Sequence, residues 1–97
     1  MNRRPFSPGM ALITAMRDPD NFVLIVHYPD DNGIATRVIS PIRIEGDHVL
    51  AFCLCRGAPR RFDRKKLRIL KLDRAENHEA PVPITYGTDT GISVTKP

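Results

Sequence analysis

Basic side chains are concentrated in one short stretch of this 97-residue chain. Residues 56 to 71 contain eight lysines and arginines and one acid, Asp63, which gives the stretch a net charge of +7. Because the whole chain carries +4, the other 81 residues carry −3. Attraction to phosphate depends on such local clustering more than on total charge. The stretch therefore indicates a binding site for a phosphate-bearing ligand.

The predicted ligand contacts lie at strand ends and connectors around an aromatic residue, Phe62. Forked guanidinium groups beside an aromatic ring suit a phosphate together with a stacked base. The candidate set for ligand or nucleic-acid binding is His48, Arg56, Arg60, Arg61, Phe62, Arg64 and Lys66, with Arg37 and Arg43 joining it from earlier strands if a barrel closes. A competing interpretation is a solvated face whose charges only keep a strand edge from pairing.

Catalysis requires a nucleophile with its base, a carboxylate pair or a metal constellation. His27, His48 and His78 fall in different predicted elements, and no serine stands in a nucleophile-elbow motif. The chain also contains neither a phosphate-binding glycine loop nor a zinc-protease helix motif. The sequence thus predicts a protein that is not an enzyme and uses no cofactor.

Cys53 and Cys55 are the only cysteines. Within a predicted strand their side chains face the same way, too far apart for an ordinary disulfide. C-x-C with three scattered histidines matches no standard zinc spacing, so we predict two buried thiols and no metal. No apolar run approaches the roughly 20 residues that span a bilayer. We therefore expect a soluble, unprocessed protein of a reducing compartment, the cytoplasm, with no membrane contact.

The elements that must position these side chains begin with a helix. Ser7 is placed to cap it, Pro8 suits its first position, and Pro19 follows its end. The pattern puts Leu12, Ile13 and Met16 on one face. This predicts a single short amphipathic helix before the strands.

Extended segments alternate with turns after the helix. The predicted strands are residues 22 to 28, 34 to 39, 42 to 44, 48 to 55, 60 to 63 and 67 to 72. Asn32-Gly33 is a strong hairpin signal between the first two, and Pro41 is expected to separate the second from the third. Short strands joined by Gly, Pro and Asp turns predict a mainly β fold, a small antiparallel barrel or sandwich.

The chain is long enough for one domain, which we place at residues 7 to 73. Residues 74 to 97 are predicted to be a C-terminal extension. Within it, two short apolar segments, 84 to 86 and 92 to 95, flank the polar connector 87 to 91. The pattern leaves three alternatives open: a hairpin packed on the barrel, an arm donated to a neighbour, and a disordered tail.

Several short motifs resemble, in order and spacing, the WYL domain of bacterial transcription regulators. They are Tyr28, Gly33, Thr36-Arg37-Val38-Ile39-Ser40-Pro41, His48-Val49-Leu50-Ala51-Phe52-Cys53 followed by Arg56, then Arg60-x-Phe62 and Leu67. The resemblance covers roughly residues 8 to 73 and runs without a gap from Cys53 to Leu67. His48 and Val49 replace the tryptophan and tyrosine that give the family its name.

The resemblance implies an SH3-like or Sm-like barrel of about five to six antiparallel strands with a short N-terminal helix. It also implies a regulatory sensor whose basic pocket takes single-stranded nucleic acid or a nucleotide-like effector. Arg56 and Arg60 match arginines of the family pattern, and Lys66 stands where the family has an arginine.

The leading expectation is a ligand-sensing or nucleic-acid-binding module linked to transcription regulation. Only about seven residues precede the helix, so we expect a stand-alone domain that acts with a helix-turn-helix partner in trans. The alternative is an Sm-like oligomerisation or protein-interaction module without a ligand, in which edge strands or the 84 to 95 segment join copies into a homo-oligomer.

Overall fold

The computed structural model describes residues 6 to 87 and 93 to 96, with side chains described for residues 6 to 86. The elements are α1 (Pro8–Arg17), β1 (Phe22–Asp30), β2 (Gly33–Glu45), β3 (His48–Cys53), β4 (Ala58–Asp63), β5 (Arg68–Arg74), a 3-10 turn (Ala75–Asn77), β6 (Ile84–Gly87) and β7 (Ser93–Lys96). The prediction of a mainly β, antiparallel fold with one short N-terminal helix is confirmed. No helix in the described part is long and apolar enough to cross a membrane.

Helix α1 begins and ends where its capping residues predict. The Ser7 hydroxyl accepts a hydrogen bond from the Met10 backbone N–H at 3.3 Å, and Pro8 occupies the first turn. The buried face differs from the prediction. It is formed by residues 11, 12 and 15, whereas Ile13 remains 38% exposed. Two alanines on this face let the helix approach strands β5, β2 and β1 closely, and that contact turns Ile13 outward.

The strands form one antiparallel, barrel-like sheet in the order β4-β3-β2-β1-β5. Strand β6 joins this sheet by pairing with the start of β2, where Ala35 lies opposite Tyr86, and β7 pairs with β6. Of the three alternatives for the C-terminal extension, the structure contains the hairpin on the sheet. The centre of its connector, residues 88 to 92, lies outside the described residues.

The β1–β2 hairpin forms where the Asn-Gly signal predicts a turn, but its two loop residues are Asp31 and Asn32. Asp30 and Gly33 form the last pair of the ladder. The Asp30 carboxylate accepts a hydrogen bond from the Asn32 N–H at 2.7 Å. Gly33 has a φ of +119°, which side-chain-bearing residues rarely adopt. This turn also holds Asp30, Asp31 and Asn32 at one end of the sheet.

Strand β2 runs through Pro41, so the predicted break into two strands is wrong. The register with β3 shifts between Pro41 and Arg43, which marks a bulge. Proline lacks an N–H and is tolerated in sheets where the ladder is already interrupted. The bulge therefore bends one long strand instead of ending it.

The core lies between the curved sheet and α1. Its fully buried members include Ala15, Leu24, Val26, Ile39, Val49, Ala51, Cys53 and Phe62. Phe62 packs edge-on against Tyr28 with ring centroids 5.0 Å apart. The Tyr28 hydroxyl accepts a hydrogen bond from the Asp63 N–H at 3.0 Å, which ties β1 to the end of β4.

A carboxylate network anchors the chain after β5 and predicts a pH effect. The His78 ring contacts Asp73 at 2.9 Å, and this hydrogen bond, with others from the Arg74 backbone and the Asn77 amide, lowers the pKa of Asp73 to about 2. Because the folded pKa lies below the ordinary 3.8, this contribution to stability is present above pH 3.8 and is lost as the pH falls towards 2.

We therefore expect Asp73→Asn to flatten the loss of stability between about pH 4 and pH 2. Urea unfolding followed by circular dichroism at several pH values measures this slope. Asp20→Asn, which removes the same charge from an exposed side chain, is the control. A wild-type slope in Asp73→Asn would contradict the assignment.

Candidate anion-binding site

Three of the predicted basic residues meet at one open cavity of about 340 Å³. Arg37 comes from β2, Arg56 from the β3–β4 turn and Arg60 from β4. The remaining lining is the hairpin segment Asp30, Asp31 and Asn32. The curvature of the sheet thus brings together arginines up to 23 positions apart in the chain.

Arg37 forms the buried floor of this cavity and is only 1% exposed. Its Nη2 donates to Asp30 Oδ2 at 3.2 Å, and its Nη1 lies 3.9 Å from Cys53 Sγ. Its Nε has no hydrogen-bond partner among the described residues. A buried guanidinium is expensive to desolvate unless it is paired, so Asp30 is required to hold the charge there.

Asp30 is itself held by Tyr86, a residue 56 positions away. The Tyr86 hydroxyl donates to Asp30 Oδ2 at 2.6 Å. Burial raises the pKa of Asp30, but hydrogen bonds from Tyr86 and the Asn32 backbone, with the charge of Arg37, lower it below its ordinary value overall. The carboxylate therefore stays ionised opposite Arg37. Sequence reasoning missed Asp30 and Tyr86, because only the pairing of β6 with β2 brings them together.

A second cavity of about 450 Å³ adjoins the first and has an apolar wall. It is lined by Asn32, Cys55, Arg56, Pro81, Val82, Pro83, Ile84 and Tyr86. Asn32 and Arg56 border both cavities. Arg56 is exposed, so its guanidinium stands between a basic cavity and an apolar one. This juxtaposition suits a ligand with an anionic group beside an apolar or aromatic group.

Phe62 does not offer the open stacking face that the sequence predicts, because it is 0% exposed. Strand alternation points it into the core on the same side as Arg60. The Arg60 guanidinium lies 5.8 Å from the centre of the Phe62 ring. Phe62 therefore packs beneath Arg60 and is not a ligand contact. Its large apolar ring is buried because it packs against Tyr28 in the core.

Arg43 and Arg61 lie away from the arginine cavity and share one carboxylate. Arg43 Nε contacts Glu45 at 2.8 Å and Arg61 Nε contacts it at 3.1 Å. The hydrogen bond from Arg43 is the largest cause that lowers the pKa of Glu45, and the charges of Arg43 and Arg61 add to it. Side chains alternate along β4, so Arg61 projects to the face opposite Arg60.

The other predicted contacts are dispersed. Lys66 borders a separate cavity of about 320 Å³ with His27, Pro29, Ile34 and Arg68. His48 is exposed at the start of β3, opposite Asp63 in the ladder. Arg64 is exposed after β4, where its backbone N–H donates to the Asp47 carbonyl at 2.8 Å. The linear +7 segment is thus distributed over several surfaces of the sheet.

The chemistry available at the arginine cavity is recognition of an anion. Among residues 6 to 86, no three His, Cys, Asp or Glu side chains are placed to hold a metal ion together. Arg56 and Arg60 present guanidinium groups that match phosphate oxygens in pairs.

No protein-family model matches the chain, and no curated protein is significantly similar to it.

Proposed function

We propose that this protein is a regulatory module that binds a phosphate-bearing ligand at the arginine cavity. The observation that carries the proposal is the meeting of Arg37, Arg56 and Arg60 at one cavity, with Arg37 buried and its Nε unpartnered among the described residues. A buried cation beneath two accessible ones is an arrangement that favours anion binding, because a bound phosphate adds to the charge compensation that Asp30 supplies.

The charges at the cavity leave Arg56 and Arg60 to recognise the ligand. Arg37 and Asp30 neutralise one another, and Asp31 offsets only one of the two accessible arginines. The adjoining apolar cavity, with Val82 and Ile84 in its wall, is placed to take a base or sugar beside the phosphate. Single-stranded nucleic acid and nucleotide-like effectors combine these groups, and we propose them as the ligand class.

A link to transcription regulation, and a helix-turn-helix partner in trans, belong to the same proposal. They are supported by the resemblance to the WYL domain, whose motif arginines correspond to Arg56 and Arg60. Both of these arginines border the cavity.

Replacing Arg56 and Arg60 together by alanine is expected to weaken binding of a short single strand at least about tenfold at low salt. Fluorescence anisotropy with labelled single-stranded DNA and RNA measures the affinity across a salt series. The affinity falls as salt rises, and removing two phosphate contacts is expected to make the slope of log affinity against log salt less steep by about 1.4, at about 0.7 per contact. A labelled mononucleotide, run in parallel, separates nucleotide binding from strand binding.

The matched control is the Arg43→Ala, Arg61→Ala variant. It removes the same two charges from a different surface, where both are held by Glu45. Its affinity is expected to stay within about twofold of wild type. Equal losses in the two variants would show a non-specific electrostatic effect, and absence of low-salt binding to all three probes would overturn the proposal.

A further inference from the structure

The outer face of the sheet carries a cavity of about 320 Å³ that is separate from the arginine cavity. Its lining comes from β1, β2, β5 and the β4–β5 turn, and consists of His27, Pro29, Ile34, Lys66 and Arg68. In the ladders, Pro29 lies opposite Ile34, and His27 lies opposite Arg68. The pairing of three strands therefore fixes where these side chains stand.

Strand alternation places this outer cavity on the opposite side of the sheet from the buried arginine. Val26 and Arg37 lie opposite each other in the β1–β2 ladder, and both are buried. Successive side chains of a strand point to opposite faces, so His27 projects away from Arg37. The outer cavity and the arginine cavity thus lie on opposite faces of the same hairpin.

One wall of the outer cavity is apolar although it faces solvent. Ile34 is 46% exposed, and Pro29 opposite it is also exposed. The half-buried His27 ring adds a flat surface next to them. Apolar side chains that line a concave surface favour binding, because they remove the apolar body of a ligand from water.

Two cations border this apolar wall, and the described lining contains no acid. Lys66 and Arg68 are exposed, and neither lies within ion-pair distance of a carboxylate in residues 6 to 86. Two neighbouring carboxylates are engaged elsewhere. Asp63 accepts a hydrogen bond from the Lys65 backbone N–H at 2.9 Å, and Asp30 contacts the buried arginine on the other face. The positive charge of the outer cavity is therefore left for a ligand.

We propose that the outer cavity binds a small aromatic carboxylate. The Arg68 guanidinium matches both carboxylate oxygens with parallel N–H groups, and the Lys66 ammonium supplies a second positive charge. The aromatic body packs on Ile34 and Pro29. An inorganic anion would leave this apolar wall unoccupied, and a neutral aromatic molecule would leave both cations without a partner.

The size of the outer cavity agrees with this class of ligand. Its volume of about 320 Å³ lies at the small end of the range of ligand cavities, about 300 to 1,000 Å³. One or two aromatic rings fit such a volume, whereas the cavity is too small to enclose a polymer.

NMR titration of the isotope-labelled full chain with naphthoate tests the proposal. We expect saturable shifts at the backbone amides of residues 27, 28, 34, 36 and 66 to 68, and no saturable shifts at residues 37, 56 and 60. Naphthamide has the same rings without the charge, and inorganic phosphate has charge without the rings. Each is expected to bind at least about tenfold more weakly than naphthoate.

The Lys66→Ala, Arg68→Ala variant is expected to bind naphthoate at least about tenfold more weakly than wild type, with little change for naphthamide. Its matched control is Arg17→Ala, Lys65→Ala, which removes one arginine and one lysine from exposed positions outside the lining. We expect the affinity of this control for naphthoate to stay within about twofold of wild type.

The apolar wall is tested by Ile34→Ala, which is expected to weaken naphthoate binding about threefold or more. Ile42→Ala truncates an isoleucine that is equally exposed, at 46%, but lies outside the cavity, so we expect it to bind naphthoate as wild type does. Circular dichroism shows whether each variant is folded.

Absence of saturable shifts at millimolar naphthoate, shifts centred on residues 56 and 60, or equal affinities for naphthoate and naphthamide would each overturn the proposal. Equal losses of naphthoate affinity in the two double variants would overturn it as well. The outcome is separate from that of the strand-binding proposal, because the arginines tested there, Arg56 and Arg60, do not line the outer cavity.

Discussion

Replacing Phe62 by alanine is expected to lower the free energy of unfolding by about 3 to 5 kcal/mol. Phe62 is the largest fully buried apolar side chain, and its ring contacts Tyr28 edge-on at 5.0 Å. Alanine removes this contact and leaves a cavity that the surrounding strands fill only in part. The total stability of a domain of this size is about 5 to 15 kcal/mol, so the loss is a large fraction of it. Urea unfolding followed by circular dichroism measures it.

The control for this prediction is Ile42→Ala, which truncates an apolar side chain that is 46% exposed. Its effect is expected to stay within about 0.5 kcal/mol. A similarly small effect at Phe62 would contradict its place in the core. Phe62→Leu keeps a buried apolar side chain and is expected to leave nucleic-acid affinity near wild type. A large loss of affinity in that folded variant would instead assign Phe62 a direct ligand contact.

The second large effect is expected from Asp30→Asn, about 3 kcal/mol of lost stability. Arg37 is 1% exposed, so without the carboxylate its charge is buried with no opposite charge in contact. The value lies at the lower end for a broken buried pair because the Asp30 side chain is 22% exposed and asparagine keeps an acceptor oxygen. Since the folded pKa of Asp30 is lowered, the pair stabilises the protein above pH 3.8, and its contribution is lost as the pH falls below that value.

The adjacent Asp31 provides the control, because Asp31→Asn removes the same charge from an exposed side chain of the same loop. We expect a change within about 0.5 kcal/mol there. The double variant Asp30→Asn, Arg37→Met removes the whole pair and is expected to recover part of the loss. The urea midpoints of unfolding at pH 7 and pH 3 measure the stability of all three variants. Equal costs for Asp30→Asn and Asp31→Asn would contradict the role of Asp30 as the counterion of Arg37.

Local patterns predicted the parts of the fold whose causes are local. Ser7 and Pro8 fixed the start of α1 because a cap needs only the first turn. Asn32-Gly33 predicted the position of the hairpin because the positive φ that the turn needs is local to Gly33. Pro41 misled the prediction for the opposite reason. Whether a proline ends a strand or sits at a bulge depends on its partner strand, here β3.

The candidate site was predictable in part. Arg56 and Arg60 follow from the charge cluster, and both border the arginine cavity. Arg61 has the same charge and is adjacent in sequence, but strand alternation sends it to Glu45 on the other face. Charge counted along the chain therefore marks the segment that contributes to the candidate site, and the pleat of the strand selects the side chains that border the arginine cavity.

The sequence by itself determined the mainly β class, the capped helix, the hairpin and the basic segment, because each depends on neighbours within a few residues. Only the tertiary structure decided that Arg37 is buried against Asp30 and that Tyr86 completes this pair. These contacts join residues up to 56 positions apart. Their energies come from burial and pairing in the assembled sheet, and no local pattern encodes which partners share that environment.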